Sequence, residues 1–373
     1  MGTTESSIVD AARGRPGLLL VAFLGGLLLV DLAAKLAGLS LGPIGGAISA
    51  DRFGSNLWNG VVIGLVIGLA GIGLSMTYSI LSFANFSHGD LLSTGAFTGW
   101  GVAFLIAGFG DIPVRSLLTV RDAGGATAGD IGAHILSTPV AILVGLLAAF
   151  AITAAVALAL DRAFYKPMRD RDGISILIAS IGAALIVRYA IQFVYGSDRR
   201  GVTASLDASN LAFAPLGLSV NAHELTIVVA ALGLMLAMHF MLQRTKLGTA
   251  MRAMADNKDL ALVTGIPAER VVTATWIIGG GLAGASGYLY VLLRGTIQFD
   301  FGWLLLLLIF AAVILGGIGS VYGAIAGGLV IGIVFTTSTI WIPSDFNEAA
   351  AFAVMITMLL LRPEGLFGGV STA

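Results

Sequence analysis

The residues whose types and spacing invite chemistry lie in two short polar stretches of an otherwise apolar chain. The longer, Gln243–Arg270, reads QRTKLGTAMRAMADNKDLALVTGIPAER. It sets Arg244, Lys246, Arg252, Lys258 and Arg270 against Asp256, Asp259 and Glu269. The shorter is Ser82-Phe83-Ala84-Asn85-Phe86-Ser87-His88-Gly89-Asp90. Neither presents a plausible catalytic triad or a metal cluster; His134, His223 and His239 show no ligand spacing with His88. The phosphate-binding pattern GxxxxGK followed by Ser or Thr is missing too, since Lys35, Lys166, Lys246 and Lys258 all lack a preceding glycine. An enzyme is therefore not expected, nor is a bound cofactor or metal. If ATP drives this protein, another subunit binds it. What remains is recognition. The longer stretch can dock a partner, and Asn85, Ser87 and His88 either cap helix ends or line a gate in a transport path.

These stretches must be positioned by membrane-spanning elements. The 373 residues are 57% hydrophobic and only 11% charged, where a soluble domain carries about 25% charged residues. Apolar runs of about 20 residues recur, the length that crosses a hydrocarbon core about 30 Å thick. Ten can be drawn: Gly17–Ala37, Leu57–Leu81, Leu91–Gly108, Pro139–Leu160, Ile174–Tyr195, Glu224–Leu242, Val271–Leu293, Leu304–Gly319, Tyr322–Trp341 and Glu348–Leu361. Backbone groups in lipid must be satisfied within each run, so helices follow. Alternating strands of a membrane barrel are absent. The expected fold is all-α, a polytopic transmembrane helical bundle of about eight to ten spans. Broken or re-entrant helices are expected at the third run and across Gly316–Gly323. No cysteine is present, which removes disulfides and thiol chemistry, and a net charge of -1 offers no surface to nucleic acid.

Charge sets the expected orientation. With the N-terminus inside, inside loops collect Arg13, Arg15, Arg162, Lys166, Arg169, Arg171, Arg244, Lys246, Arg252, Lys258, Arg270 and Arg362. Outside loops collect Arg52, Arg115, Arg121, Arg199, Arg200 and Arg294. This bias obeys the positive-inside rule and places both termini and residues 243–270 in the cytoplasm. The first run lacks a convincing cleavage site and is interrupted by Asp31 and Lys35, so it reads as a retained anchor. Asp31 and Lys35 are four apart and can pair on one helix face.

Inside the spans, glycine and charge are the informative residues. Gly60, Gly64 and Gly68 fall four apart, as do Gly280 and Gly284, Gly319, Gly323 and Gly327, and Gly328 and Gly332. Small residues at this spacing let a second helix approach closely. Gly316-Gly317-Ile318-Gly319-Ser320 is the best candidate for a broken helix beside a substrate path. Arg188 is deep in an apolar run; it faces a cavity or a partner, or it snorkels to an interface. No Asp or Glu is expected at mid-span apart from Asp31, which argues against a proton-coupled carrier.

Thr249–Val263 is built of helix formers. Met251, Met254, Ala255, Lys258 and Leu262 share one face of the predicted helix, and Arg252, Asp256 and Asp259 another. Gly265 is placed to end it in a left-handed cap, and Pro267 to open the next helix. Such a helix lies along the bilayer surface, held by lipid headgroups or by a docked protein.

Four motifs in order make the chain resemble the permease family of branched-chain amino-acid ABC importers. They are Gly73-Leu74-Ser75-Met76-Thr77-Tyr78 running into Asn85–Asp90, then Arg252-Ala253-Met254-Ala255-Asp256 through Ala261 to Gly265-Ile266 with Arg270-Val271 after it. Leu315–Ser320 follows, with Gly323-Ala324 and Gly327-Gly328, and lastly Arg362-Pro363-Glu364-Gly365-Leu366-Phe367-Gly368. The resemblance covers residues 57–368; residues 1–56 form an N-terminal extension with an extra transmembrane anchor. It implies an inner-membrane permease subunit that forms half of the translocation pathway for branched-chain amino acids. Its partners would be a second permease, two cytoplasmic ATP-binding subunits and an extracytoplasmic substrate-binding protein. Arg252, Ala253, Asp256, Ala261, Gly265 and Ile266 match the family's ATPase-coupling helix. Asn85, Phe86, Ser87, His88, Gly316 and Gly317 are the candidates for the translocation path. Related permeases serve urea, short amides or other amino acids, and an ATP-independent channel or carrier is the rival class. The loop Phe109–Thr138 is long for the family, and Gln298–Gly302 lacks the family's usual proline.

Overall fold

The computed structural model describes residues 16–41, 44–121, 125–169, 171–204, 210–213 and 218–367. Arg13, Arg15 and Gly368 lie outside them. Each apolar run becomes a helix: α1 Pro16–Leu36, α2 Ala50–Leu81, α3 His88–Ala107, α4 Pro139–Leu160, α5 Gly173–Tyr195 and α6 Ala222–Arg244. Two short helices follow, α7 Lys246–Asp256 and α8 Lys258–Val263, and then α9 Ala268–Arg294, α10 Phe301–Gly316, α11 Val321–Thr337 and α12 Asn347–Leu361. The only strands among the described residues are three short antiparallel pairs outside the helices. The protein is thus an all-α polytopic bundle; among the described residues eight helices are long and apolar enough to span a membrane, α2 to α6, α9, α11 and α12, with the 16-residue α10 between them. At 1.5 Å per residue α10 reaches only about 24 Å.

Burial sorts the helices. Val62, Val66, Ile67, Leu69 and Ala70 of α2 are fully enclosed, because α6, α9, α10 and α11 surround this helix. A helix apolar on every side belongs at such a centre. In contrast, α5, α6 and α12 leave Phe193, Val229 and Leu360 exposed, as lipid-facing helices do.

The glycine stripes are the packing faces. A methyl group on Gly64 would stand 2.8 Å from the Leu329 Cα, one on Gly328 would stand 2.5 Å from the Gly68 backbone nitrogen, and one on Gly332 would stand 2.4 Å from the Gly64 nitrogen. Thus α2 and α11 touch backbone to backbone. On α9, Gly280 and Gly284 meet Ala157 and Thr153 of α4. With no water to expel between helices in lipid, close approach and dispersion hold such pairs together.

Polar side chains close the helix ends. Asn221 and Glu224 form a capping box at the start of α6, and Asp172 caps α5 by accepting from the Ser175 N–H. The Ser175 hydroxyl and N–H hold the Asp172 carboxyl below the usual carboxylate range. Asp31 and Lys35 pair on α1 as their spacing suggests, and Asp31 also accepts from the Trp341 indole at 2.7 Å, docking α1 near the end of α11. The chain between Phe109 and Thr138 holds two single-turn helices, Val114–Leu117 and Ala128–Ile131. In the proline-free stretch, Phe301 stacks on Tyr290 with ring centroids 5.6 Å apart.

Candidate functional site

The first polar stretch sits inside the bundle. Ser82 takes a left-handed conformation (φ 58°) that ends α2, and the chain turns back among the helices. His88 opens α3 with its Nε2 2.9 Å from the Ala70 carbonyl oxygen. Ala70 is eleven residues before the end of α2, so α3 starts about 16 Å back along it. Asn85, Ser87, His88 and Asp90 are almost fully buried. Non-helical backbone at this depth is tolerated only where protein encloses it. The stretch is a break between helices rather than a membrane boundary.

Three side chains tie the break to α4. The Ser87 hydroxyl donates to Asn85 Oδ1 at 2.7 Å and lies 2.7 Å from the Tyr165 hydroxyl. Tyr165 is delivered by a single π-helical turn, Asp161–Tyr165, that continues α4; such turns re-aim side chains that an α-helix would direct elsewhere. Its ring stacks on Trp276 with centroids 4.9 Å apart. The Asn85 side-chain nitrogen has no hydrogen-bond partner among the described residues, a buried donor of the kind that usually has one.

Arg188 faces a partner. Its Nε and Nη2 donate to the two Asp90 carboxylate oxygens at 3.0 and 2.9 Å, and its guanidinium lies 4.8 Å from the Trp303 ring centre. Phe86 packs on Trp303 and Phe310. The expectation that no acid sits within a span apart from Asp31 is therefore corrected: Asp90 is fully enclosed in the first turn of α3. Its sequence position beside Ser87 and His88 fits a membrane boundary as well as a break between helices, and it is the fold-back of residues 82–87 that carries it inward. Asp90, Arg188, Tyr165 and Trp303 are the members of this cluster that sequence reasoning did not join. A basic and an acidic residue, each flanked by apolar runs, was the one available signal.

Gly316 and Gly317 lie elsewhere, at the C-terminal end of α10. Gly317 has φ 105° and Gly319 φ 89°, so the expected helix break falls here, between α10 and α11. The C-terminal stretch folds onto it: the Leu366 and Phe367 N–H groups donate to the Leu315 and Gly316 carbonyls at 2.9 Å each. The Ser79 hydroxyl donates to the Gly319 carbonyl at 2.8 Å, fastening the break to the end of α2.

At this end of the bundle the second polar stretch differs from the single helix predicted over Thr249–Val263. It is two helices meeting at Asn257, which leaves helical geometry (φ -156°, ψ 103°) and caps α8 by accepting from the Leu260 N–H at 2.9 Å. Asparagine prefers such a cap to a helix interior. The kink separates the expected apolar face. Met251 and Met254 of α7 are buried, whereas Leu260, Leu262 and Val263 of α8 are exposed, Val263 to 86%. Arg252 donates to Gln243 Oε1 at 2.9 Å. With Ser79, Met251 and Gly319 it also borders a cavity of about 50 Å³ between α7, α2 and the α10–α11 break. Ala253 accepts the Asn257 N–H, and Asp256 is exposed beside it. Ala261 is buried and accepts the Ile266 N–H at 3.1 Å. Gly265 has φ 85°, the left-handed turn expected of it, and Ile266 packs against the core. Arg169 links the neighbouring ends of α4 and α9, holding Asp161 at 2.8 Å and Glu269 at 2.6 Å.

Residues 56–361 match the family model described as branched-chain amino acid transport system permease component. The chain belongs to this family. It is 26% identical over 318 residues to the high-affinity branched-chain amino acid transport system permease protein LivH of Salmonella typhimurium, covering 85% of this chain and 96% of that protein. It is 26% identical over 315 residues to BraD of Pseudomonas aeruginosa, with 84% and 94% covered. A probable branched-chain amino acid transport permease protein LivH of Methanocaldococcus jannaschii is 30% identical over 320 residues, with 83% and 90% covered. No solved structure matches. The chain is thus a multi-pass membrane permease of the branched-chain amino-acid transport family, and the relatives named are transport permeases.

Proposed function

We propose that the chain forms half of the translocation pathway of an ATP-driven importer of branched-chain amino acids, and that α7 and α8 couple it to a separate cytoplasmic ATPase. Two such ATPases, a second permease and an extracytoplasmic binding protein complete the assembly, with both termini and residues 243–270 on the cytoplasmic side. The observation that carries the reading is the exposed apolar trio Leu260, Leu262 and Val263 on α8. It follows directly on α7, whose Met251 and Met254 are anchored in the core, as is Ala261 of α8 itself. An exposed apolar patch on a short anchored helix suits a protein partner. Motion of α7 reaches the pathway through Arg252, which borders the same small cavity as Ser79 and Gly319. A proton-coupled carrier is the weaker alternative, because Asp90, the buried acid of α3, is held on both oxygens by Arg188.

The test is uptake by the reconstituted assembly. Val263→Glu and Arg252→Glu should each lower leucine uptake at least tenfold and weaken ATPase co-purification or uncouple hydrolysis, with permease abundance unchanged. Full uptake with normal co-purification in both variants would sink the coupling role. Leucine uptake that persists without any ATPase would sink the ATP-driven mechanism.

A further inference from the structure

A cavity of about 530 Å³ opens at the end of the bundle opposite α7 and α8. It lies where α9 ends, α10 begins and α12 begins. The strand pair Arg200–Gly201 with Thr296–Ile297 brings Arg199 to the rim beside Arg294, the last residue of α9. Asp300, the cap of α10, and Glu348, in the first turn of α12, supply the opposite charge. The rest of the wall sets the polar Thr296 and Gln298 beside apolar side chains that include Leu308 and Phe335. The ion pairs found among the described residues involve none of these four charged groups. Two cations and two anions in one cavity, with no ion pair between them among the described residues and with apolar side chains alongside, leave both signs available to a ligand. Small-molecule sites of a few hundred Å³ combine an apolar lining with a few polar anchors in this way.

We propose that this vestibule is a receiving site for a free amino-acid zwitterion with an apolar side chain. Arg199 and Arg294 take the carboxylate, Asp300 and Glu348 take the ammonium, and the side chain lies against Leu308 and Phe335. This rests on the importer reading above and adds to it where substrate first meets the permease. The site neighbours the buried cluster, because Phe301 on its wall precedes Gly302, whose backbone packs on Gly89 beside Asp90. The requirement for both charges separates this ligand from urea and short amides, which carry neither.

The experiment is equilibrium binding of labelled leucine to the complete permease–ATPase complex in nanodiscs, without nucleotide or binding protein. Leucinamide, which lacks the carboxylate, and 4-methylpentanoate, which lacks the ammonium, serve as competitors. In the wild-type complex both should compete at least tenfold less well than leucine. Arg294→Gln should weaken leucine about tenfold and leave leucinamide unchanged, since a charged hydrogen bond is worth roughly that factor. Glu348→Gln should weaken leucine similarly and leave 4-methylpentanoate unchanged. Arg115→Gln, at an exposed residue outside the cavity, should change nothing. Unaltered leucine binding in both vestibule variants overturns the site. So does a wild-type complex that transports leucine but binds none, and in either case the importer reading stands. A wild-type complex that transports urea but no leucine instead overturns the importer reading itself.

Discussion

The Asp90–Arg188 pair allows a sharp test, because its two halves are not equivalent. The contacts are 2.9 and 3.0 Å, and the side chains are 0% and 13% exposed, so solvent screens them little. At an effective dielectric of about 20, unit charges roughly 3 Å apart attract by about 5 kcal/mol. Removing one partner of a buried pair typically costs about 3–5 kcal/mol, since the other charge stays buried and uncompensated. Asp90→Asn strands a guanidinium, which cannot give up its proton. Arg188→Gln strands a carboxylate, which can take one up and become neutral. Asp90→Asn should therefore be the more damaging change, and the double variant should recover much of the loss. With an unfolding entropy of about 2.1 cal/mol/K per residue, a 4 kcal/mol loss lowers the melting temperature by roughly 5 °C. Melting of the detergent-purified complex, followed by tryptophan fluorescence, measures all four proteins. If Asp90→Asn melts with the wild type, or if the double variant loses the sum of the two single losses, the pair is not the buried, mutually compensating unit described here.

Other perturbations have expected outcomes of their own. Gly328→Leu places a side chain where even a methyl would stand 2.5 Å from the Gly68 nitrogen; overpacking by about 1–3 kcal/mol or more should impair assembly. Leu304→Ala, at a residue 57% exposed, should leave size-exclusion and melting profiles unchanged, and equal behaviour of the two would discount the glycine seam. Tyr165→Phe removes the hydroxyl 2.7 Å from Ser87 and should destabilise by about 1 kcal/mol, visible as a lowered melting temperature with the Trp276 stacking retained. For orientation, Asn257→Cys should react only with reagents that reach the cytoplasm and Ala126→Cys from outside, against a chain with no cysteine of its own; outside labelling of Asn257→Cys in intact cells would invert the proposed topology.

Much of the fold was legible because a membrane makes backbone satisfaction local. A run such as Pro139–Leu160 must be helical throughout, and its helix has those same limits. Glycine spacing was legible for a related reason: Gly60, Gly64 and Gly68 share a face at helical period, and only close contact uses such a face, though the sequence does not say that α11 fills it. The kink at Asn257 was harder, because Met251 to Leu262 keeps a helical period across it, and one capping side chain outweighs that period locally. The buried cluster was the least legible. Asp90 and Arg188 are 98 residues apart, and the sequence around Asp90 fits a boundary as well as a helix break until Ser82 turns the chain back inward. Nothing in the sequence singles out Tyr165, which a π-helical turn brings to Ser87. The vestibule depends on four helix or strand ends meeting, and ends are where neither period nor composition constrains a side chain. The candidate positions in this bundle therefore gather where regular helices stop, at residues 82–90, at Gly316–Gly319, at Asn257 and around Asp300. Those are the positions at which backbone polar groups come free and a side chain far away in sequence can take them.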